Sequence, residues 1–118
     1  MSLIGKFGVV GTPEQQLDLL DNNTEYLVLG DATILREITM WWTFELPVLD
    51  KAMTGKHRIL IDSSGIGLDN DYSFIDEIDG VEFDVDISGT SARLKIVTSG
   101  LGENPKMVYR VETLSRAS

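Results

Sequence analysis

The chain has no cysteine, which excludes disulfides, thiol nucleophiles and cysteine-based metal sites. Its single histidine, His57, excludes His-rich metal sites and leaves no serine–histidine–aspartate order to defend. With three prolines against 11 glycines, punctuation falls mainly to glycine. No apolar run approaches the roughly 18 residues of a membrane-spanning helix. The opening Met1-Ser2-Leu3-Ile4-Gly5-Lys6 lacks the charged and extended apolar regions of a signal peptide. A soluble chain with no membrane contact is therefore expected. Glycine-rich phosphate loops are missing too, since Gly65 and Gly67 are followed by neither Gly-Lys-Ser/Thr nor a helical pattern.

What is present is enough apolar matter for a core. At 118 residues and 42% hydrophobic content, residues 1–118 are expected to form one domain without a disulfide or a metal. Basic residues are the minority, 10 against 19 acids, for a formal charge of −9. That charge is local. Between Ile59 and Ala92 stand Asp62, Asp69, Asp71, Asp76, Glu77, Asp79, Glu82, Asp84 and Asp86 with no lysine or arginine, whereas the rest of the chain balances. Such a surface repels nucleic acid, so direct nucleic-acid binding is not expected, while a basic partner or a cation is permitted. The simplest reading is a solvated acidic face.

Periodicity supplies the fold. Thr12-Pro13-Glu14-Gln15 has the capping-box spacing of a helix start, and Leu17, Leu19 and Leu20 follow it, so one short N-terminal helix is expected over about 13–21. Residues 3–10 before it could form a strand. From Ile38 to Leu46 the period is two: Ile38, Met40, Trp42, Phe44 and Leu46 alternate with Thr39, Trp41, Thr43 and Glu45. Further strands are expected at Tyr26 to Leu29, His57 to Asp62, Tyr72 to Ile75 and Met107 to Thr113, with a loop around Gly65, Gly67 and Asn70.

The clearest local structure is a hairpin from Val81 to Thr98, turning at Gly89-Thr90 in the type II′ manner. That turn sets Ile87 opposite Ala92, Val85 opposite Leu94 and Phe83 opposite Ile96 on one face. On the other it sets Asp86 opposite Arg93 and Asp84 opposite Lys95. A one-residue slip would put apolar groups against charges, so turn and pattern specify one register. The expected fold is mainly β, an antiparallel sandwich or small barrel with that single helix.

Several residues invite a chemical reading. Asp62-Ser63-Ser64-Gly65 resembles the stretch of STAS domains in which a serine at a helix start is phosphorylated. STAS domains alternate strands with helices, however, and the flanking residues here have period two, which favours an ordinary turn. Asp69 and Asp71 could offer hard oxygens to Ca²⁺, although the spacing is not that of an EF-hand and a surface loop is the simpler reading. Glu82, Asp84 and Asp86 lie on one polar strand face, which does not provide the desolvated acid of a paired-carboxylate catalyst. No catalytic residues and no cofactor are assigned. Trp41 points away from the apolar face, so it either packs beneath the helix or marks an interface.

From Lys56 to Leu114, the strand at His57-Arg58-Ile59, the short Tyr72-Ser73-Phe74 strand, the acidic hairpin with Ser88-Gly89-Thr90 and the closing Met107-Val108-Tyr109-Arg110-Val111 strand resemble the small β-sandwich modules of tailed-bacteriophage structural proteins. The resemblance implies a non-enzymatic assembly or binding role in a tail, baseplate or decoration component, commonly as a homo-oligomer. A cytoplasmic or virion location goes with it. The partner would then be a protein or a second copy, with Trp41, Asp84 and Asp86 as interface candidates. The alternative is an acidic inhibitor or immunity-type protein that masks a basic partner surface.

Overall fold

The computed structural model describes residues 13–75 and 77–117. The strand expected at 3–10 lies outside them. Among the described residues there are eight strands: β1 (Gln15–Asp18), β2 (Thr24–Asp31), β3 (Leu35–Leu46), β4 (Lys51–Asp62), β5 (Gly65–Phe74), β6 (Val81–Ser88), β7 (Ser91–Thr98) and β8 (Lys106–Ser115). They form a five-stranded sheet in the order β1-β8-β3-β4-β5 and a three-stranded sheet in the order β2-β7-β6, with antiparallel neighbours throughout. The two sheets pack face to face rather than closing into a barrel.

Alternation dictates that packing. Along β3, Ile38, Met40, Trp42, Phe44 and Leu46 are buried on the inner face, and β4 adds Met53, His57, Ile59 and Ile61. Across the sandwich, β7 presents Ala92, Leu94, Ile96 and Thr98, also buried. Complete burial of each large apolar side chain contributes about 1.5–3 kcal/mol, so this face outweighs any surface charge pair. Trp42 fits because β4 carries Gly55 directly opposite it. A Cβ at Gly55 would run into the indole and come within 2.7 Å of the Asp71 carbonyl.

The hairpin has the expected register, from Val81 opposite Thr98 to Ser88 opposite Ser91. Gly89 has φ 62°, and Thr90 is not among the positive-φ residues, as a type II′ turn requires. The loop after β7 is tied to the β1–β2 turn. The Asp21 carboxylate accepts the Leu101 and Gly102 amides, and the Asn22 side chain accepts the Gly100 amide. Bonds to the amides, that of Leu101 foremost, hold the Asp21 carboxyl below the usual range.

Two expectations need correction. No helix occupies 13–21; Gln15–Asp18 is an edge strand paired with β8, with Gln15 opposite Tyr109 and Asp18 opposite Lys106. A capping box contributes about 1 kcal/mol, and an isolated nine-residue helix is marginal in water. The β8 edge instead offers ladder hydrogen bonds and a place for Leu17 and Leu19 against the core, at a spacing of two. The expected loop at Gly65, Gly67 and Asn70 is the first part of β5, whose ladder continues unbroken from Asp62 opposite Gly65 to Met53 opposite Phe74. The actual turn is Ser63-Ser64, where the Asp62 carboxylate accepts the Ser64 amide at 2.7 Å. No helix start follows the serines, so the STAS-like reading has no structural counterpart.

Candidate interaction surface

The outer face of the five-stranded sheet is a ladder of polar and charged rows with one large aromatic in it. Trp41 stands opposite Arg110 on β8 and opposite Lys56 on β4, and Lys56 stands opposite Asp71 on β5. The next row is Glu112, Thr39, Arg58 and Asp69. The Arg110 guanidinium lies 4.4 Å from the centre of the indole and the Lys56 ammonium 5.9 Å, both within range of a cation–π attraction. Trp41 is thus a half-buried aromatic held between two bases on a flat face. No helix covers it.

Arg58 turns away from Asp69 and forms an ion pair with Glu37, at 3.3 Å. Asp69 and Asp71 therefore face two bases whose charged ends are directed elsewhere. Both acids are exposed, on a strand rather than in a loop, and their carboxylates make no hydrogen bond or ion pair among the described residues. No group of three or more acidic or histidine side chains able to hold a metal occurs among the described residues.

Asp84 and Asp86 lie on the outer face of the other sheet, so the fold does not bring them together with Trp41. Asp86 receives two hydrogen bonds from Arg93, at 2.8 and 2.7 Å. That pairing holds the Asp86 carboxyl below its usual range, the Arg93 hydrogen bond being the chief cause. Arg93 also covers the Tyr26 ring at 4.0 Å. Asp84 lies opposite Lys95, as expected from the turn, and accepts the amide of its neighbour Val85.

Sequence reasoning gave no role to His57, which lies at the centre of an aromatic cluster. Its ring centre is 4.7 Å from that of Phe83, 5.2 Å from Trp42 and 6.4 Å from Tyr72. Among the described residues neither ring nitrogen has a hydrogen-bond partner, nor does Trp42 Nε1. Burial pushes the His57 pKa down to about 4. Asn70 stands opposite His57 on β5. His57 is thus a neutral packing residue. The available signal was its even spacing with Ile59 and Ile61 on the inward side of the strand.

Beside this cluster, the edges of β5 and β6 leave a crevice of about 110 Å³ lined by Met53, Tyr72, Phe74, Glu77, Ile78, Val81 and Phe83. Solved structures share the layout just described. One is the tailspike protein gp49 from Acinetobacter baumannii bacteriophage Fri1, a capsular polysaccharide depolymerase, with a TM-score of 0.55 and 16% identity over 86% of this chain. Another is the tailspike protein of Acinetobacter phage vB_ApiP_P1, with a TM-score of 0.54 and 4% identity over 86% of this chain. The shared property is the fold. The chain spans 18% of the first tailspike and 22% of the second, so it corresponds to a limited part of each. No protein-family model matches the sequence. The curated proteins yield no match either.

Proposed function

We propose that this chain is a non-enzymatic assembly or binding module of a phage virion, acting as a homo-oligomer through the outer face of the five-stranded sheet. The supporting observation is the likeness over 86% of the chain to two phage tailspikes. Within that reading the row of Arg110, Trp41 and Lys56 is the contact centre, because a large aromatic flanked by bases is the usual composition of an energetic anchor. Acidic residues of a facing copy, such as Glu112 and Glu45 of the same sheet face, would complement the two bases.

Size-exclusion chromatography with light scattering tests this. An oligomer at micromolar concentration that dissociates at least tenfold more readily in Trp41→Ala is expected; a strict monomer at millimolar concentration overturns the proposal. The alternative, an acidic inhibitor or immunity-type protein, rests on the nine acids between Ile59 and Ala92. The engagement of Asp86 by Arg93 removes part of the charge that motivated it.

A further inference from the structure

The free strand edges of the sandwich are not equivalent. β1 offers four residues, β2 is interrupted by a register shift between Val28 and Gly30, a common protection against edge pairing, and β6, laddered to β7 without a break, is eight residues long. β5 is the longest of them: ten residues, laddered to β4 without a break, mostly exposed and, among the described residues, unpaired on its other side. A strand in that position presents a row of backbone donors and acceptors in the geometry that another strand requires.

Its side chains specify what that strand would be. Asp69 and Asp71 project to the outer face, where Arg58 is engaged with Glu37 and Lys56 lies toward Trp41, so neither acid has an ion-pair partner among the described residues. On the inner face Tyr72 and Phe74 border the 110 Å³ crevice toward β6, and both are incompletely covered, at 41% and 50% exposure. Successive residues of an added strand point alternately to the two faces. One set would therefore meet the two unpaired carboxylates and the other would enter the crevice, whose lining side chains are apolar apart from Glu77. The hairpin acids Glu82 and Asp84, on neighbouring β6, give the same side of the sandwich a further negative charge.

We propose that the free edge of β5 is a docking site for an extended segment of a partner protein in which basic and apolar residues alternate, adding as a sixth strand to the five-stranded sheet. The backbone ladder supplies attachment, the crevice takes the apolar side chains, and Asp69 and Asp71 select lysine or arginine against acidic strands. This site uses the edge of the sheet and not the face around Trp41, so it is independent of the self-association proposed above.

The test is a titration of the isotopically labelled chain, followed by two-dimensional amide NMR. The probe is a nine-residue blocked peptide alternating lysine and valine, and the control has glutamate in place of lysine. The expected result is saturable binding of the lysine peptide, with shifts and slowed exchange concentrated at the amides of residues 65–74. Asp69→Lys with Asp71→Lys should weaken binding by about tenfold or more, and Asp69→Asn with Asp71→Asn by less; the protein spectrum itself reports that each variant is folded. Equal binding of the glutamate peptide, unchanged affinity in the charge-reversed variant, or shifts centred on β6 or Trp41 would each overturn the proposal. Light scattering on the same samples separates the two ideas, since a monomeric chain that binds the peptide at β5 sinks only the self-association.

Discussion

His57 shows how one residue in the core couples stability to pH. Its folded pKa, about 4, lies below the ordinary 6.5, so the unfolded chain binds the extra proton between these values. The contribution is fully present above pH 6.5 and is lost as the pH falls toward 4. A shift of this size corresponds to about 3 kcal/mol at most. Chemical denaturation of the natural chain is expected to show that decline, and His57→Phe, which keeps a ring among Trp42, Tyr72 and Phe83, should flatten it. The same substitution removes two unpartnered buried nitrogens, so the variant should be at least as stable as the parent at pH 7. An unchanged pH slope would show that another group carries it. Gly55 is the complementary case: Gly55→Ala drives a methyl into the Trp42 ring and toward the Asp71 carbonyl, and should lower stability by about 1–3 kcal/mol by the same measurement.

At the scale of elements, the hairpin and the first strand behave oppositely. In the hairpin every local signal agrees: a glycine at the turn, apolar residues paired across one face and opposite charges across the other. Asp86→Arg should therefore lower the melting temperature slightly by opposing Arg93, and adding Arg93→Asp should recover the loss. Failure of the double exchange to recover it would show that the pair does not act as a cross-strand contact. For Gln15–Asp18 the local signal was helical and the outcome extended. The capping residues described a helix start that a neighbouring free edge outcompeted, and nothing within the segment records that edge. The glycines of β5 misled in a similar way. Gly65 and Gly67 read as a loop, yet the rigid neighbour β4 holds them in a ladder where a Cβ at either would meet open space.

For the whole molecule, the net charge of −9 is divided among separate surfaces. Asp86 is neutralised by Arg93 on one outer face, Asp21 is consumed by backbone amides, and Asp69 and Asp71 remain available on the other sheet. Trp41 is likewise explained only by its two neighbours: β3 is central in its sheet, so one side of the indole has β8 with Arg110 and the other β4 with Lys56. This is why the light-scattering prediction for Trp41→Ala concerns assembly; the residue contributes little to the core, and its loss should leave the fold intact.

The sequence by itself determined the class of the fold, the inward sets of β3 and β7, Ile59 and Ile61 on β4, and the register of the Val81 to Thr98 hairpin. These depend on a period of two and on a turn two residues long, both local properties. Only the tertiary structure decided that β1 is a strand, that β3 lies between β4 and β8, and that His57 sits in an aromatic cluster. It also decided that β5 has a free edge beside unpaired acids. These depend on which distant segments become neighbours. A strand pair separated by some sixty residues, such as β3 with β8, leaves no local trace in either partner.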